Sequence, residues 1–152
     1  MDYNVKFRLE VENYSDQQLI YSNNEYEGGT TKSPMSSIEP GGREAMTGHK
    51  TGWTATGCAG TVSWRIGETG MVLNVMYSVP YSQDLYSNEI GFEISDRPRK
   101  YYYIYNYPEN GNKKITNKKF YKDSSPLYHL YNIEIYGVQG TMGGSHAPEI
   151  KV

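Results

Sequence analysis

Apolar and charged side chains alternate without interruption over residues 4–13 of this chain, and this alternation constrains the fold more than any other feature of the sequence. The apolar positions are Val5, Phe7, Leu9 and Val11, and the charged positions between them are Lys6, Arg8, Glu10 and Glu12. Successive side chains of a β-strand point to opposite faces, so a period of two residues predicts a strand with one face on a core and one face in water. The chain is therefore expected to build its core from sheets.

Turn-forming residues divide the rest of the chain into short stretches. Sixteen glycines and seven prolines separate segments rich in Tyr, Val, Ile and Thr, which are residue types that suit a pleated, half-buried surface. Gly67–Gly70 is predicted as the turn of a hairpin, and residues 28–42 as a loop. Further strands are predicted over residues 17–22, 43–50, 59–66, 71–79, 90–94 and 131–135, with residues 149–152 closing an edge.

These segments predict one all-β domain over residues 1–152, a β-sandwich of about ten short strands with little helix. Helix signals are poor, and residues 99–107, which might curl, carry tyrosines that suit a strand equally well. The core is predicted to contain inward positions of the first strand and of a central strand, namely Val5, Phe7, Leu9, Val11, Leu73 and Val75.

The charge and the cysteine content exclude several classes of protein. A formal net charge of −2 provides no strong field for nucleic acid. The single cysteine, Cys58, excludes an intramolecular disulfide and a cysteine-based zinc site, and its neighbours Gly57 and Ala59 indicate a small buried hydrophobe. No apolar run approaches the ~18 residues of a transmembrane helix, and residues 1–12 are too charged for a signal peptide. Residues 13–15, Asn-Tyr-Ser, form a glycosylation sequon, a triplet that also arises often by chance.

The chain lacks the motifs that catalysis and cofactor binding require. Its three histidines, His49, His129 and His146, are far apart and follow no metal-ligand spacing. There is no nucleophile elbow, phosphate-binding loop or dinucleotide fingerprint, and no predicted helix follows the glycine-rich residues 140–144 to donate amides to a phosphate. We therefore expect no enzyme activity, no cofactor and no bound metal.

Eight tyrosines crowd residues 77–107, and they are the most informative candidates for a binding site. A tyrosine ring can hold a quaternary ammonium on its face, which contributes about 0.5–2 kcal/mol per ring, and its hydroxyl can donate to a phosphate or sugar oxygen. Such rings also suit the boundary between lipid and water. The alternative is that these tyrosines only pack against one another, and the sequence leaves both interpretations open.

One segment of the chain matches a known family motif. Residues 70–95 carry an aromatic residue, Ser-Val-Pro at residues 78–80, a second aromatic residue, and Tyr-Ser-Asn at residues 86–88. This order resembles that of the sea-anemone actinoporins, which have aromatic-Ser-Val-Pro-aromatic, three variable residues and Trp-Tyr-Ser-Asn-Trp-Trp. Further segments also resemble family positions, namely residues 9–13, 29–31 and 51–57. The chain is therefore identified as a member of the actinoporin-like superfamily.

The resemblance implies an actinoporin-like β-sandwich that binds phosphocholine headgroups, above all that of sphingomyelin, and then inserts an N-terminal amphipathic helix to form a pore. It implies headgroup contacts for Ser78, Pro80 and Tyr86, and a position on the pocket wall for Thr54. A later tyrosine cluster of the family corresponds to Tyr101, Tyr102 and Tyr105. The expected partner is therefore a membrane lipid headgroup, such as phosphocholine or sphingomyelin, or a cell-surface glycan. The resemblance is also compatible with a homo-oligomer. The protein is expected to be secreted or extracellular and to act at target membranes, with cytosolic storage as the alternative because residues 1–12 do not form a signal peptide.

The chain departs from the family at positions that matter for membranes. Leu85, Glu89 and Ile90 stand where the family has three interfacial tryptophans, and we expect this difference to weaken partition into the membrane. Tyr81, Leu85 and Ile90 remain the expected membrane-facing residues. The first strand begins near residue 4, so the pore-forming helix, which needs about twenty upstream residues, is expected to be missing. Either that segment was removed or this branch does not form pores by that route, and we expect the chain to lyse cells poorly.

Three functions are compatible with these observations. They are a membrane-headgroup binder, a carbohydrate-binding lectin of the same fold as the fungal fruit-body lectins, and an unspecialised interaction domain. The Ser-Val-Pro segment favours the first function, and the short length favours the second. Haemagglutination that a simple sugar inhibits would identify a lectin.

Overall fold

The structure is a computed structural model, and it describes residues 5–50, 57–80, 88–98, 115–120, 128–133, 136–142 and 149–151. Side chains are described in the first three of these ranges, apart from residues 25–27 and 31–33. The described residues form no helix, and so none of them belongs to a helix that could cross a membrane. They form eleven strands: β1 (Lys6–Glu12), β2 (Leu19–Gly28), β3 (Thr30–Ser33), β4 (Arg43–His49), β5 (Cys58–Ile66), β6 (Val72–Val79), β7 (Asn88–Ser95), β8 (Ile115–Phe120), β9 (Tyr128–Ile133), β10 (Tyr136–Met142) and β11 (Glu149–Lys151).

The strands are arranged in two sheets, which confirms the predicted all-β sandwich. The six-stranded sheet has the order β3-β4-β1-β11-β10-β9, and the five-stranded sheet has the order β2-β5-β6-β7-β8. Neighbouring strands pair antiparallel except β1 and β11, which pair in parallel, with Arg8 opposite Glu149 and Glu10 opposite Lys151. Strands β5 to β8 follow one another in sequence and in space, so most of the five-stranded sheet is a meander.

Both sheets bury side chains in one core cluster. In β1 the apolar positions are buried while Lys6 and Arg8 are exposed, as the alternation predicts. Phe7 of β1 stacks on Tyr77 of β6 across the two sheets, with ring centroids 4.4 Å apart and the ring planes inclined by 33°. An aromatic pair of this kind adds about 0.5–1.5 kcal/mol to the free energy of burial. The residues predicted for the core are all buried, namely Val5, Phe7, Leu9, Val11, Leu73 and Val75.

Four strands differ from the predictions. No strand is predicted over residues 136–142, which form β10. β3 lies inside the segment predicted as a loop, and β8 lies in a lysine-rich section for which the sequence predicts no strand. β3 is polar and β8 is mostly polar, and they are strands because β4 and β7 supply the backbone partners. β11 does not close an edge, because it pairs with β1 on one side and with β10 on the other.

The turn at Gly67–Gly70 joins β5 to β6, which confirms the predicted hairpin. Gly67 and Gly70 have φ values of +49° and +79°, in the left-handed region that glycine adopts readily. The backbone amide of Ile66 donates to the carbonyl oxygen of Met71 at 2.8 Å, and Thr69 Oγ1 donates to the carbonyl oxygen of Ile66 at 2.6 Å. The hairpin sends β6 back through the centre of its sheet, so that β6 ends far from this turn.

Candidate functional site

Ser78 and Pro80 lie at the end of the central strand β6. Ser78 pairs with Ala59 of β5 on one side and with Glu89 of β7 on the other, and both Ser78 and Pro80 are half-buried. The strand stops at Val79. Proline has no backbone N–H to donate to a neighbouring strand, so Pro80 ends the ladder where the sequence predicts.

Gly57, directly before β5, lies against the backbone at the end of β6, at Val79 and Pro80. A Cβ atom on Gly57 would lie 2.1 Å from the carbonyl oxygen of Val79 and 2.8 Å from the Cα of Pro80. Both are backbone atoms and cannot rotate away, so only a glycine permits this approach. The sequence placed Gly57 in a family pattern without assigning it a role. A glycine directly before an apolar strand is the signal that could have indicated a close backbone contact.

Gly29 brings the two sheets together at the same end of the sandwich. It connects β2 of one sheet with β3 of the other at a φ of +81°, and a Cβ there would lie 2.6 Å from the carbonyl oxygen of His49 and 2.9 Å from Cys58 Cβ. Cys58 Sγ lies 3.8 Å from the carbonyl oxygen of Val5. We call this end, marked by Val5, Gly29, His49, Cys58 and Pro80, the Pro80 end.

Two side chains of opposite charge lie at the Pro80 end, and both are largely buried. Lys50 follows the last residue of β4, and Glu89 is the second residue of β7; each is 5% exposed. The backbone amide of Lys50 donates to the carbonyl oxygen of Val5 at 2.9 Å, and Nδ1 of His49 lies 2.7 Å from the carbonyl oxygen of Lys50. Burial reduces the screening of both charges by water, so each acts more strongly on a ligand than a surface charge would.

Cys58 contributes packing rather than reactivity at this end. Its side chain is 1% exposed and belongs to the core cluster. Burial raises the pKa of the thiol to about 12, which keeps it protonated near neutral pH. The prediction of a small buried hydrophobe is confirmed.

The five-stranded sheet has a second buried face, on which polar and apolar residues mix. We call it the outer face, and it is formed by alternate residues of three strands that point away from the core cluster: Ala59, Thr61, Ser63, Val72, Asn74, Met76, Ser78, Glu89, Gly91 and Glu93. Ser63 Oγ donates to Asn74 Oδ1 at 2.6 Å, and Asn74 Nδ2 donates to Ser95 Oγ at 3.0 Å. Thr61 Oγ1 is buried, and within the described part of the chain it has no hydrogen-bond partner.

The structure describes three of the predicted site residues. Ser78 and Pro80 lie together at one strand end, and their contact with a headgroup stays a prediction. Ile90 is predicted to face a membrane. It is 1% exposed and packs in the core beside its cross-strand partner Tyr77, so that prediction is wrong. The period of two residues explains the difference, because the position after the outward-pointing Glu89 must point inward. The other predicted residues lie outside the described residues, namely Thr54, Tyr81, Leu85, Tyr86, Tyr101, Tyr102 and Tyr105.

The described side chains do not form a metal site. Among them, no group of three or more His, Cys, Asp and Glu residues is arranged to hold a metal ion. Of the three histidines, only His49 lies where side chains are described.

Comparison with curated proteins finds relatives among toxins, whereas no family model matches the chain. Tereporin-Ca1 from Terebra anilis is 32% identical in an alignment that covers 99% of this chain and 84% of the relative. Conoporin-Cn1 from Conus consors is 28% identical in an alignment that covers 99% of this chain and 62% of the relative. Hydra actinoporin-like toxin 2 from Hydra vulgaris is 31% identical over 110 residues, which cover 72% of this chain and 53% of the relative. The chain thus spans most of the first relative and a little over half of the other two.

Comparison with solved structures finds the same sandwich. The lipid-binding protein Nakanori superposes with a TM-score of 0.65 at 13% identity, covering 97% of this chain and 69% of that protein. RahU, solved in complex with a Tris molecule, superposes with a TM-score of 0.54 at 10% identity, covering 99% of this chain and 93% of that protein. At these identities the likeness concerns the fold alone.

Proposed function

The chain belongs to the actinoporin-like toxin family, and on that premise we propose that it binds membrane surfaces by recognising a phosphocholine-type lipid headgroup at the Pro80 end. The observation that carries the proposal is the placement of Ser78 and Pro80. Both are half-buried at the end of a strand, and the close approach of Gly57 to Val79 and Pro80 fixes the backbone there. A hydroxyl on such a rigid strand end is suited to donate to a phosphate oxygen.

The comparisons support a role at membranes outside the cell. Several relatives carry the word toxin in their names, and Nakanori, which has a similar fold, is described as a lipid-binding protein. In the proposed site, Tyr86 and the cluster of Tyr101, Tyr102 and Tyr105 hold the quaternary ammonium on their ring faces, and Thr54 forms part of the wall. Two or three rings contribute roughly 1–4 kcal/mol, which requires many headgroups on one surface for tight binding.

Vesicle binding tests this proposal directly. The protein is expected to sediment with vesicles that contain sphingomyelin and to bind vesicles of phosphatidylglycerol less well. Ser78→Ala and Tyr86→Ala, with folding checked by thermal melts, are expected to weaken binding to sphingomyelin. Ser95→Ala is the matched control, because Ser95 is also a half-buried serine on the same sheet but lies at the far end of β7.

Two outcomes would contradict the proposal. If Tyr86→Ala and Ser78→Ala stay folded and bind as the parent does, the site is not at the Pro80 end. If the protein binds glycans on an array and haemagglutination is inhibited by a simple sugar, with no vesicle binding, the protein is a lectin of this fold. Dye release from the same vesicles, measured in parallel, reports separately whether the bound protein permeabilises them.

A further inference from the structure

Glu89 faces Ser78 directly across the β6–β7 ladder. The antiparallel register pairs Ser78 with Glu89, and the next pair, Tyr77 and Ile90, lies in the core. Directly opposed residues of an antiparallel pair share one face, with Cβ atoms about 4.5–5.5 Å apart. Ser78 and Glu89 therefore lie side by side on the outer face, at the Pro80 end.

The surroundings of Glu89 increase the effect of its charge. The residue is 5% exposed, and its neighbour Asn88 is fully buried. A carboxylate in such a site interacts with a cation more strongly than it would in water, because less solvent screens the charge. The same carboxylate repels a phosphate group, so its effect on a ligand depends on which end of the ligand approaches it.

We infer that Glu89 is a specificity-determining residue that receives the cationic end of the lipid headgroup, so that the site selects headgroups carrying an ammonium group. This inference rests on the proposed function. Choline supplies a quaternary ammonium and ethanolamine a primary one, whereas phosphatidylglycerol and neutral glycans supply no cation. A carboxylate beside the Ser78 hydroxyl thus favours zwitterionic lipids over anionic ones.

A cross-strand lysine does not remove this role. Lys119 occupies the register position opposite Glu89 on β8. A carboxylate has two oxygens with about four acceptor sites, so it can interact with a lysine and still accept a headgroup ammonium. Thr61, on the same outer face and diagonal to Ser78, adds a buried hydroxyl that has no partner among the described residues. Of the polar groups at this end, Ser78 is the half-buried one that a ligand can reach first, with Glu89 directly beside it.

Glu93 provides a matched control for Glu89. It lies on the same strand and the same outer face, it is 1% exposed, and it pairs with Asn74 rather than with Ser78. Glu89→Gln and Glu93→Gln remove the same charge with the same change in shape, at two distances from the Pro80 end. A general effect of losing a buried carboxylate appears in both variants, whereas loss of headgroup recognition appears only in Glu89→Gln.

The experiment compares binding of parent, Glu89→Gln and Glu93→Gln to vesicles of phosphatidylcholine, phosphatidylethanolamine and phosphatidylglycerol. Glu89→Gln is expected to weaken binding to choline vesicles by about tenfold, the difference that one charge-assisted contact makes. Its binding to phosphatidylglycerol is expected to stay the same or to rise, and Glu93→Gln is expected to keep the parent's preference. A folded Glu89→Gln with the parent's ratio of choline to glycerol binding would overturn the inference.

Two further arms keep the outcome decisive. If Glu89→Gln does not fold, competition experiments on the parent protein test the inference instead. Phosphocholine and tetramethylammonium are expected to displace the parent protein from phosphatidylcholine vesicles. The inference is overturned if glycerol phosphate competes as well as phosphocholine does. If Ser78→Ala and Tyr86→Ala weaken choline binding while Glu89→Gln does not, this inference fails and the proposed function stands. If the parent binds no choline vesicles, both fail together.

Discussion

Asn13 and Ile38 are joined by a hydrogen bond in which the side-chain Nδ2 of Asn13 donates to the carbonyl oxygen of Ile38 at 3.1 Å. The same Nδ2 donates to the carbonyl oxygen of Gln17 at 2.7 Å. Asn13 Oδ1 accepts from the backbone amide and the hydroxyl of Ser15, at 3.0 and 2.6 Å. Because Asn13 is 4% exposed and both ends of its side chain are engaged, attachment of a glycan to it is incompatible with this structure.

Replacement of Asn13 is expected to destabilise the protein strongly. Asn13→Ala removes four hydrogen bonds that hold the segment between β1 and β2 together and join it to Ile38, and the loss of such bonds costs about 2–4 kcal/mol in total. Urea unfolding followed by fluorescence measures the change. Tyr14→Phe is the control, because Tyr14 is 85% exposed and the loss of its hydroxyl is expected to leave the free energy of unfolding nearly unchanged. Equal midpoints for the two variants would contradict the role assigned to Asn13.

Gly57→Ala is expected to displace the backbone of Val79 and Pro80. The new Cβ would overlap with backbone atoms of Val79 and Pro80, and relief of such an overlap costs about 1–3 kcal/mol. We expect a lower melting temperature and weaker vesicle binding at temperatures where the variant is folded. Gly42→Ala is the control, because its Cβ would lie 3.0 Å from the carbonyl oxygen of Glu39 at the other end of the sandwich. Binding that is lost equally in both variants would refute a local effect of Gly57.

The Cys58 thiol is expected to be protected from alkylation in the folded protein. Burial raises its pKa from 9.0 to about 12, so the reactive thiolate is scarce, and the side chain is 1% exposed. Iodoacetamide at pH 8 should therefore label the native protein far more slowly than the protein in urea. Rapid labelling of the folded protein would show that this end of the sandwich opens readily.

The same shift predicts how stability depends on pH. The folded pKa of Cys58 lies above the unfolded one, so the contribution of the neutral thiol is complete below pH 9 and is lost as the pH rises from about 9 toward 12. Cys58→Ala should lack this part of the alkaline loss. Unfolding free energies of parent and variant, measured from pH 7 to about pH 10.5, are expected to converge as the pH rises.

Glu12→Gln is expected to lower the pKa of Tyr14. In the parent, the hydrogen bond from the Tyr14 hydroxyl to Glu12 and the negative charge of Glu12 together raise the pKa of the phenol above 10.0. The favourable effect on folding is present below pH 10 and disappears as the pH rises through the raised value. Carbon NMR titration of the tyrosine Cζ measures the pKa, and Glu39→Gln serves as the control. A Tyr14 pKa unchanged by Glu12→Gln would contradict the assigned cause.

The alternation of side chains predicted the core but not the close approaches around it. Val5, Phe7, Leu9 and Val11 point inward because one face of β1 is apolar, and that information is local to seven residues. The contact of Gly57 with Pro80 depends on how the residue before β5 meets the residue after β6, and neither segment alone predicts that contact. The residues that make the Pro80 end compact were therefore found only in the structure.

The predicted site illustrates the same limit. Ser78 and Pro80 were found because their motif is continuous in the sequence. Glu89 was noted only as a replacement for a tryptophan, because its position opposite Ser78 follows from the strand register. Ile90 was assigned to the membrane by analogy with the family motif, although the alternation along β7 places it in the core.

The parallel pairing of β1 with β11 determines the order in which the sheets can form. Arg8 and Glu149 are about 140 residues apart along the chain, and closing a loop of that length costs roughly 3 kcal/mol more entropy than closing a hairpin of about four residues. Strands β5 to β8 need only contacts between consecutive strands, so they can pair early during synthesis. The six-stranded sheet is complete only when residues 149–151 have paired with β1 and β10, so we expect its completion to follow the pairing of β5 to β8.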